Sequence, residues 1–122
     1  MKIETELMRG AGPMAVLKLL ERGEMYGYEL VEALSKNTDG ILAMGQSTLY
    51  PMLYNLEAKK LIASRVDKNG PRPRKYYRLT SKGKTRLAKG TEQWRAVLNA
   101  MASIGVLKPA DVANAMSKGA LP

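Results

Sequence analysis

The chain has 122 residues, a formal net charge of +9, and neither cysteine nor histidine. That length suits a single domain with one modest core, and the missing residue types remove the usual zinc ligands, thiol nucleophiles and imidazole bases, so an enzyme, a metal site or a cofactor is not expected. Glu21, Arg22 and Glu24 interrupt the most apolar region too early for a membrane span, and the opening MKIETELMRG lacks the apolar core of a secretory signal, so a cytoplasmic location is expected.

In chain order, Val16, Leu17, Leu19 and Leu20 make the apolar face of a helix over Pro13 to Arg22, with Gly23 placed to end it. Gly10, Gly12 and Pro13 are poor helix interior, so a delayed or kinked start is expected, with residues 1 to 9 as a separate arm, either helical or irregular. After a connector at Glu24 to Gly27, Tyr28 to Lys36 predicts a second helix that turns Leu30, Val31 and Leu34 inward. Asn37-Thr38-Asp39-Gly40 breaks it. Ile41 to Met44 is too short for a helix and reads as a brief first strand.

A third helix is expected to start between Gly45 and Ser47 and to run to Lys59, with Pro51 near its first turn. Leu49, Leu53 and Leu56 recur at helical spacing, while Ser47, Thr48, Tyr54, Asn55 and Lys59 fall elsewhere around the helix, so one face can enter a core and another look outward. Ile62 to Asp67 and Arg74 to Leu79 are β-favouring runs on either side of Lys68-Asn69-Gly70-Pro71-Arg72-Pro73, and Asn-Gly is the strongest short turn signal. They predict a two-stranded hairpin tipped by positive charge. Tyr76 and Tyr77 should face opposite sides of it.

Thr80 or Ser81 offers an N-cap for a fourth helix to about Ser103. Leu87, Trp94, Val97, Leu98, Met101 and Ile104 form a stripe along it at about the heptad period. Burying one such side chain stabilises by roughly 1.5 to 3 kcal/mol, so a whole stripe left in water is a large loss for a marginally stable domain. The stripe predicts a homodimer. Pro109 starts a short helix over Lys108 to Met116, and the last few residues should be loosely held.

The charge is concentrated in one block. Between Arg65 and Lys89 stand ten Lys or Arg against Asp67 alone, whereas the rest of the chain is nearly balanced. A one-signed block in a folded region points to a polyanion, and nucleic acid is favoured over an acidic membrane surface or mere solubility. A helix with an outward polar face suits the major groove of double-stranded DNA. Ser47, Thr48, Tyr54 and Asn55 are the candidates for bases or nearby phosphates, with Lys59 beside them, and Tyr50 suits a phosphate contact with its ring on the core. Capping by Thr48 and packing by Tyr54 are the structural alternatives. In the hairpin, Lys68, Arg72, Arg74 and Lys75 suit the phosphate backbone or the adjoining minor groove. Glu29 and Glu32 read as a solvated helix face rather than a catalytic pair.

Four separated blocks also carry a family likeness. Glu6-Leu7-Met8-Arg9-Gly10, Tyr26-Gly27-Tyr28-Glu29-Leu30, Leu49-Tyr50-Pro51 with Leu56-Glu57 and Leu61-Ile62 after it, and Arg72-Pro73-Arg74-Lys75-Tyr76-Tyr77-Arg78-Leu79-Thr80 are spread along residues 6 to 80. In order and spacing they resemble the PadR-like transcriptional regulators. The resemblance implies a mainly α fold with a small β-hairpin wing, that is, a winged helix-turn-helix with a C-terminal dimerisation helix. It divides the chain into a DNA-binding part with an N-terminal arm, residues 1–79, and a dimerisation helix and tail, residues 80–122, as one compact unit. It implies a nucleoid-associated, sequence-specific repressor that binds a palindromic operator as a homodimer and is relieved by a small planar aromatic or phenolic ligand. By the same resemblance Trp94 is the ligand-contact candidate, with Met8, Val97, Leu98 and Met101 as neighbours, although packing between protomers is the favoured reading of that tryptophan. The family commonly has glycine where Lys60 stands, which argues against a left-handed helix cap there. An architectural or RNA-binding winged helix with little sequence preference, and a winged helix that binds protein, are the competing readings.

Overall fold

The computed structural model describes residues 1–119, with side chains through Asn114, so the expected loose end at residues 120–122 lies outside the described residues. The elements are α1 (Thr5–Glu21), β1 (Met25–Tyr26), α2 (Gly27–Lys36), α3 (Gln46–Ala58), β2 (Ile62–Asp67), β3 (Arg74–Leu79), α4 (Ser81–Ser103) and α5 (Pro109–Gly119). The chain divides into two compact units, Met1–Leu87 and a second beginning at Ala88.

In the first unit a three-stranded antiparallel sheet, ordered β1-β3-β2, covers one side of the helices. The core is built from leucines that recur at helical spacing: Leu17 and Leu20 from α1, Leu30 and Leu34 from α2, and Leu49, Leu53 and Leu56 from α3. Ile62 and Tyr77 close it from the sheet, and among the described residues no polar or charged residue is buried with them. Tyr77 is buried while its neighbour Tyr76 is only half-buried, as strand alternation requires. Leu87, expected in the dimer stripe, instead joins this core at 4% exposure. Its burial is satisfied within the chain, because the first turns of α4 still lie over the winged fold.

Several local expectations are corrected. Helix α1 does not wait for Pro13; it begins at Thr5 and runs through both glycines and the proline, leaving only Met1 to Glu4 ahead of it. The reason lies across the core. A β-carbon at Gly12 would stand 2.7 Å from Met52 Cε, so the glycine makes room for a methionine side chain of α3, and packing outweighs poor helix propensity. The first strand is Met25–Tyr26, and it pairs with Tyr77 and Tyr76. Ile41 to Met44 forms no strand, because its donors are used locally: Ile41 N donates to Thr38 O (3.0 Å) and Ala43 N to Gly40 O (3.2 Å), while Leu42 N donates to Thr38 Oγ1 (3.0 Å).

Strands β2 and β3 occupy the residues expected of them, in register from Ile62 opposite Leu79 to Asp67 opposite Arg74. The turn between them differs. Neither Asn69 nor Gly70 has a positive φ, so the tight Asn-Gly turn does not form. Two prolines constrain the six-residue tip, and Asp67 Oδ1 accepts the Asn69 N–H (2.9 Å) at its start.

Pro51 lies a full turn into α3 rather than in its first turn, so Ser47 loses its usual helical donor. At the other end of α3, Leu61 N donates to Leu56 O (3.0 Å) and Lys60 N to Glu57 O (2.9 Å), with Lys60 at φ 62°. This is a Schellman cap with lysine in the left-handed position, so the expectation against it fails. Leu61 and Leu56 are both buried, and that apolar contact holds the cap in place of the glycine.

Thr80 caps α4 by accepting the Gly83 N–H on Oγ1 (3.0 Å). In the second unit α4 ends in the same kind of motif, with Val106 N on Met101 O (2.9 Å) and Gly105 at φ 86°. Pro109 opens α5 as expected, and Asp111 Oδ2 accepts the Lys108 N–H (3.3 Å).

Candidate nucleic-acid interface

The burial of Leu49, Leu53 and Leu56 fixes how α3 is rotated. Ser47, Thr48, Tyr54, Asn55 and Lys59 are consequently all exposed, Tyr54 at 74%. Tyr50 stands on the flank rather than the crest of α3. Its ring lies against the start of α2, where a β-carbon at Gly27 would come within 2.6 Å of Tyr50 Cε1 and 2.7 Å of its hydroxyl.

The wing carries its cations in two different conditions. Lys68 and Arg72, at the tip, are exposed and enter no ion pair among the described residues. Arg74 and Lys75, nearer the sheet, are engaged. The Arg74 guanidinium lies 4.5 Å over the Tyr26 ring, and Lys75 Nζ is 3.6 Å from Glu57 Oε1 of α3 and 5.5 Å over Tyr77. Arg65 belongs to the same positive block but is engaged too. It donates from Nε to Glu24 Oε2 (3.1 Å) and lies over Tyr76 at 4.8 Å. Hydrogen bonding to Arg65 holds the Glu24 carboxyl below its ordinary range. The cations of the wing are thus divided between those engaged on the strands, Arg65, Arg74 and Lys75, and a free tip.

Sequence reasoning missed three residues. Glu57 links α3 to the wing, because its carboxylate accepts the Ser64 hydroxyl as well as facing Lys75. Tyr26 supplies the ring beneath Arg74 and meets Tyr76 edge-on at 5.6 Å. Tyr28 is half-exposed beside Tyr50 on one groove. Only the Tyr-Gly-Tyr run hinted at the two tyrosines. Glu29, for its part, accepts the Tyr26 N–H (3.1 Å) and caps α2, and Glu32 pairs with Lys36 (3.8 Å).

The ligand and dimer candidates fall in different places. Met8 lies on α1, half-buried against the core of the first unit. Trp94 and Leu98 are half-buried on α4, and Val97 (49%), Met101 (39%) and Ile104 (77%) are exposed in the single chain. Among the described residues no group of acidic side chains is arranged to hold a metal ion, and no helix is long and apolar enough to cross a membrane.

Comparison with known proteins agrees with this geometry. The model of the Transcriptional regulator PadR-like family matches residues 16–89. The fold is similar to that of a PadR-family transcriptional regulator from Eggerthella lenta DSM 2243, at 37% identity and a TM-score of 0.74, over 81% of this chain and 85% of that one. An uncharacterized protein of Lysinibacillus sphaericus is 31% identical over 96 residues, 78% of this chain and 88% of its own length. Bacillus subtilis PadR, solved in complex with operator DNA, is 29% identical with a TM-score of 0.59, over 63% of this chain and 44% of that one.

Proposed function

Since the chain belongs to the PadR-like family of transcriptional regulators, we propose that it represses transcription as a homodimer bound to a palindromic operator. The observation that carries this reading is the pairing of an exposed polar face on α3 with a wing tip whose Lys68 and Arg72 have no ion partner among the described residues. Ser47, Thr48, Tyr54 and Asn55 face base edges in the major groove, and Lys59 reaches the adjoining phosphates. Lys68, Arg72, Arg74 and Lys75 supply affinity for the backbone. The relative solved on operator DNA supports the same use of the fold.

Pairing runs through the later turns of α4. Trp94, Val97, Leu98, Met101 and Ile104 place apolar surface on a single chain that a second copy would cover by a two-fold operation. Two reading helices related in that way meet half-sites about one helical turn apart. A planar aromatic or phenolic compound held at Trp94, with Val97, Leu98 and Met101 as neighbours, would release the operator if it binds one spacing of the protomers better than another. Operator binding would place the protein on the nucleoid.

Selection of duplexes from a random pool tests the reading directly. A palindromic consensus is expected, with tight binding lost as salt rises. Equal binding to every duplex, or stronger binding to RNA, would replace it with an architectural or RNA-binding role. Titrating planar phenols against Trp94 fluorescence tests the ligand, and an unchanged spectrum across a broad panel leaves the tryptophan to packing.

A further inference from the structure

An open groove of about 450 Å³ lies between the start of α2, the flank of α3 and the base of the wing. Tyr26, Tyr28, Tyr50, Arg72, Arg74 and Lys75 line it, and no carboxylate does. We propose that this groove seats one phosphodiester of the bound duplex, with the Tyr28 and Tyr50 hydroxyls donating to its oxygens and Arg72 and Arg74 balancing its charge. The inference rests on the DNA-binding reading, adds Tyr28 to it, and places the phosphate contact expected of Tyr50 in the same seat.

Three features argue for a phosphodiester. The first is charge: no carboxylate lines the groove, and of its three cations only Lys75 has an acidic partner, Glu57, a composition that favours an anion. The second is the donors. The Tyr28 and Tyr50 hydroxyls form no hydrogen bond among the described residues, although both side chains line the groove. A phenol with its ring on protein and its hydroxyl free is suited to a phosphate oxygen. The third is pre-organisation. Gly27 leaves room for the Tyr50 ring, and Tyr26 holds Arg74 by stacking while Tyr76 braces Tyr26 edge-on. Groups already fixed lose little freedom on binding. The groove is open and borders the reading helix, so a duplex laid on α3 would bring its backbone to it.

The test uses the full-length chain, its selected duplex and single neutral methylphosphonates scanned along each strand. Tyr28→Phe and Tyr50→Phe each remove one hydroxyl from an exposed ring and are expected to weaken binding about 10-fold, the range of a hydrogen bond to a charged group. One phosphate per half-site should be special: neutralising it weakens the wild type but weakens the double phenylalanine variant no further, while losses at other phosphates add. Gly27→Ala, which displaces the Tyr50 ring, should match Tyr50→Phe and not add to it, with circular dichroism confirming the fold. Additive losses at every phosphate would overturn the seat, as would tyrosine variants that bind like wild type. So would competition by inorganic phosphate beyond that of sulfate at equal ionic strength, which would make the groove a free-anion site. A wild type with no liking for any duplex sinks the parent reading instead, and the two failures are therefore distinct.

Discussion

The Glu57 carboxylate on the reading helix faces the Lys75 ammonium on the wing at 3.6 Å. The same carboxylate accepts the Ser64 hydroxyl of the facing strand, so one acidic side chain ties together the two elements proposed to touch DNA. It also withdraws part of one cation from the backbone.

Glu57→Gln is therefore expected to tighten binding to random duplex more than to the operator, and to steepen the salt dependence of binding by up to about one unit as Lys75 is released. Anisotropy titrations at several salt concentrations read both effects. Stability should change by less than about 1 kcal/mol, since the pair is partly exposed and screened. An unchanged salt slope would mean that Lys75 does not reach phosphate.

Gly83 touches backbone rather than a movable side chain. A β-carbon there would stand 2.0 Å from the Leu61 carbonyl oxygen, so Gly83→Ala must push the start of α4 off the wing. A loss of about 1 to 3 kcal/mol is expected in chemical unfolding. Gly10→Ala is the control: it lies within α1 with nothing within 4 Å, and it should stabilise by roughly 0.5 to 1 kcal/mol.

Lys60 holds a left-handed conformation that costs an L-residue about 1 to 2 kcal/mol. Lys60→Gly relieves that strain and keeps the Schellman bonds. A net gain of about 1 kcal/mol is expected after glycine's greater freedom in the unfolded chain is counted. A lower melting temperature would show that the lysine makes contacts worth more than the strain.

Burial raises the Tyr77 hydroxyl pKa above its ordinary value of 10.0. The unfolded chain therefore loses this proton first. The associated stability is complete below 10.0 and declines as pH rises through the folded value. Tyr77→Phe should flatten that alkaline limb in urea titrations while leaving neutral-pH stability nearly unchanged. An equally steep limb in the variant would assign the loss to another group.

What could be read from the residues alone was whatever depends on near neighbours. The wing strands fall on the expected residues because alternation and proline punctuation act within a few positions. The inward faces of α2 and α3 follow because leucine at helical spacing can bury only one side. The concentration of charge after Arg65 is likewise a property of the sequence as written.

Tertiary structure decided the points where a distant partner outweighed local preference. Pro13 stays inside α1 because Gly12 packs against Met52, and Lys60 takes a glycine's conformation because Leu61 and Leu56 are buried together. Met25 and Tyr26 become a strand only because β3 lies beside them. The charged block shows the same division: its sign was evident from composition, but Glu24, Glu57 and Tyr26 determine which cations are held in the sheet and which stay free at the tip. Those partners stand far along the chain from the cations they engage, and through-space contact at such separation leaves no periodic trace in a single sequence.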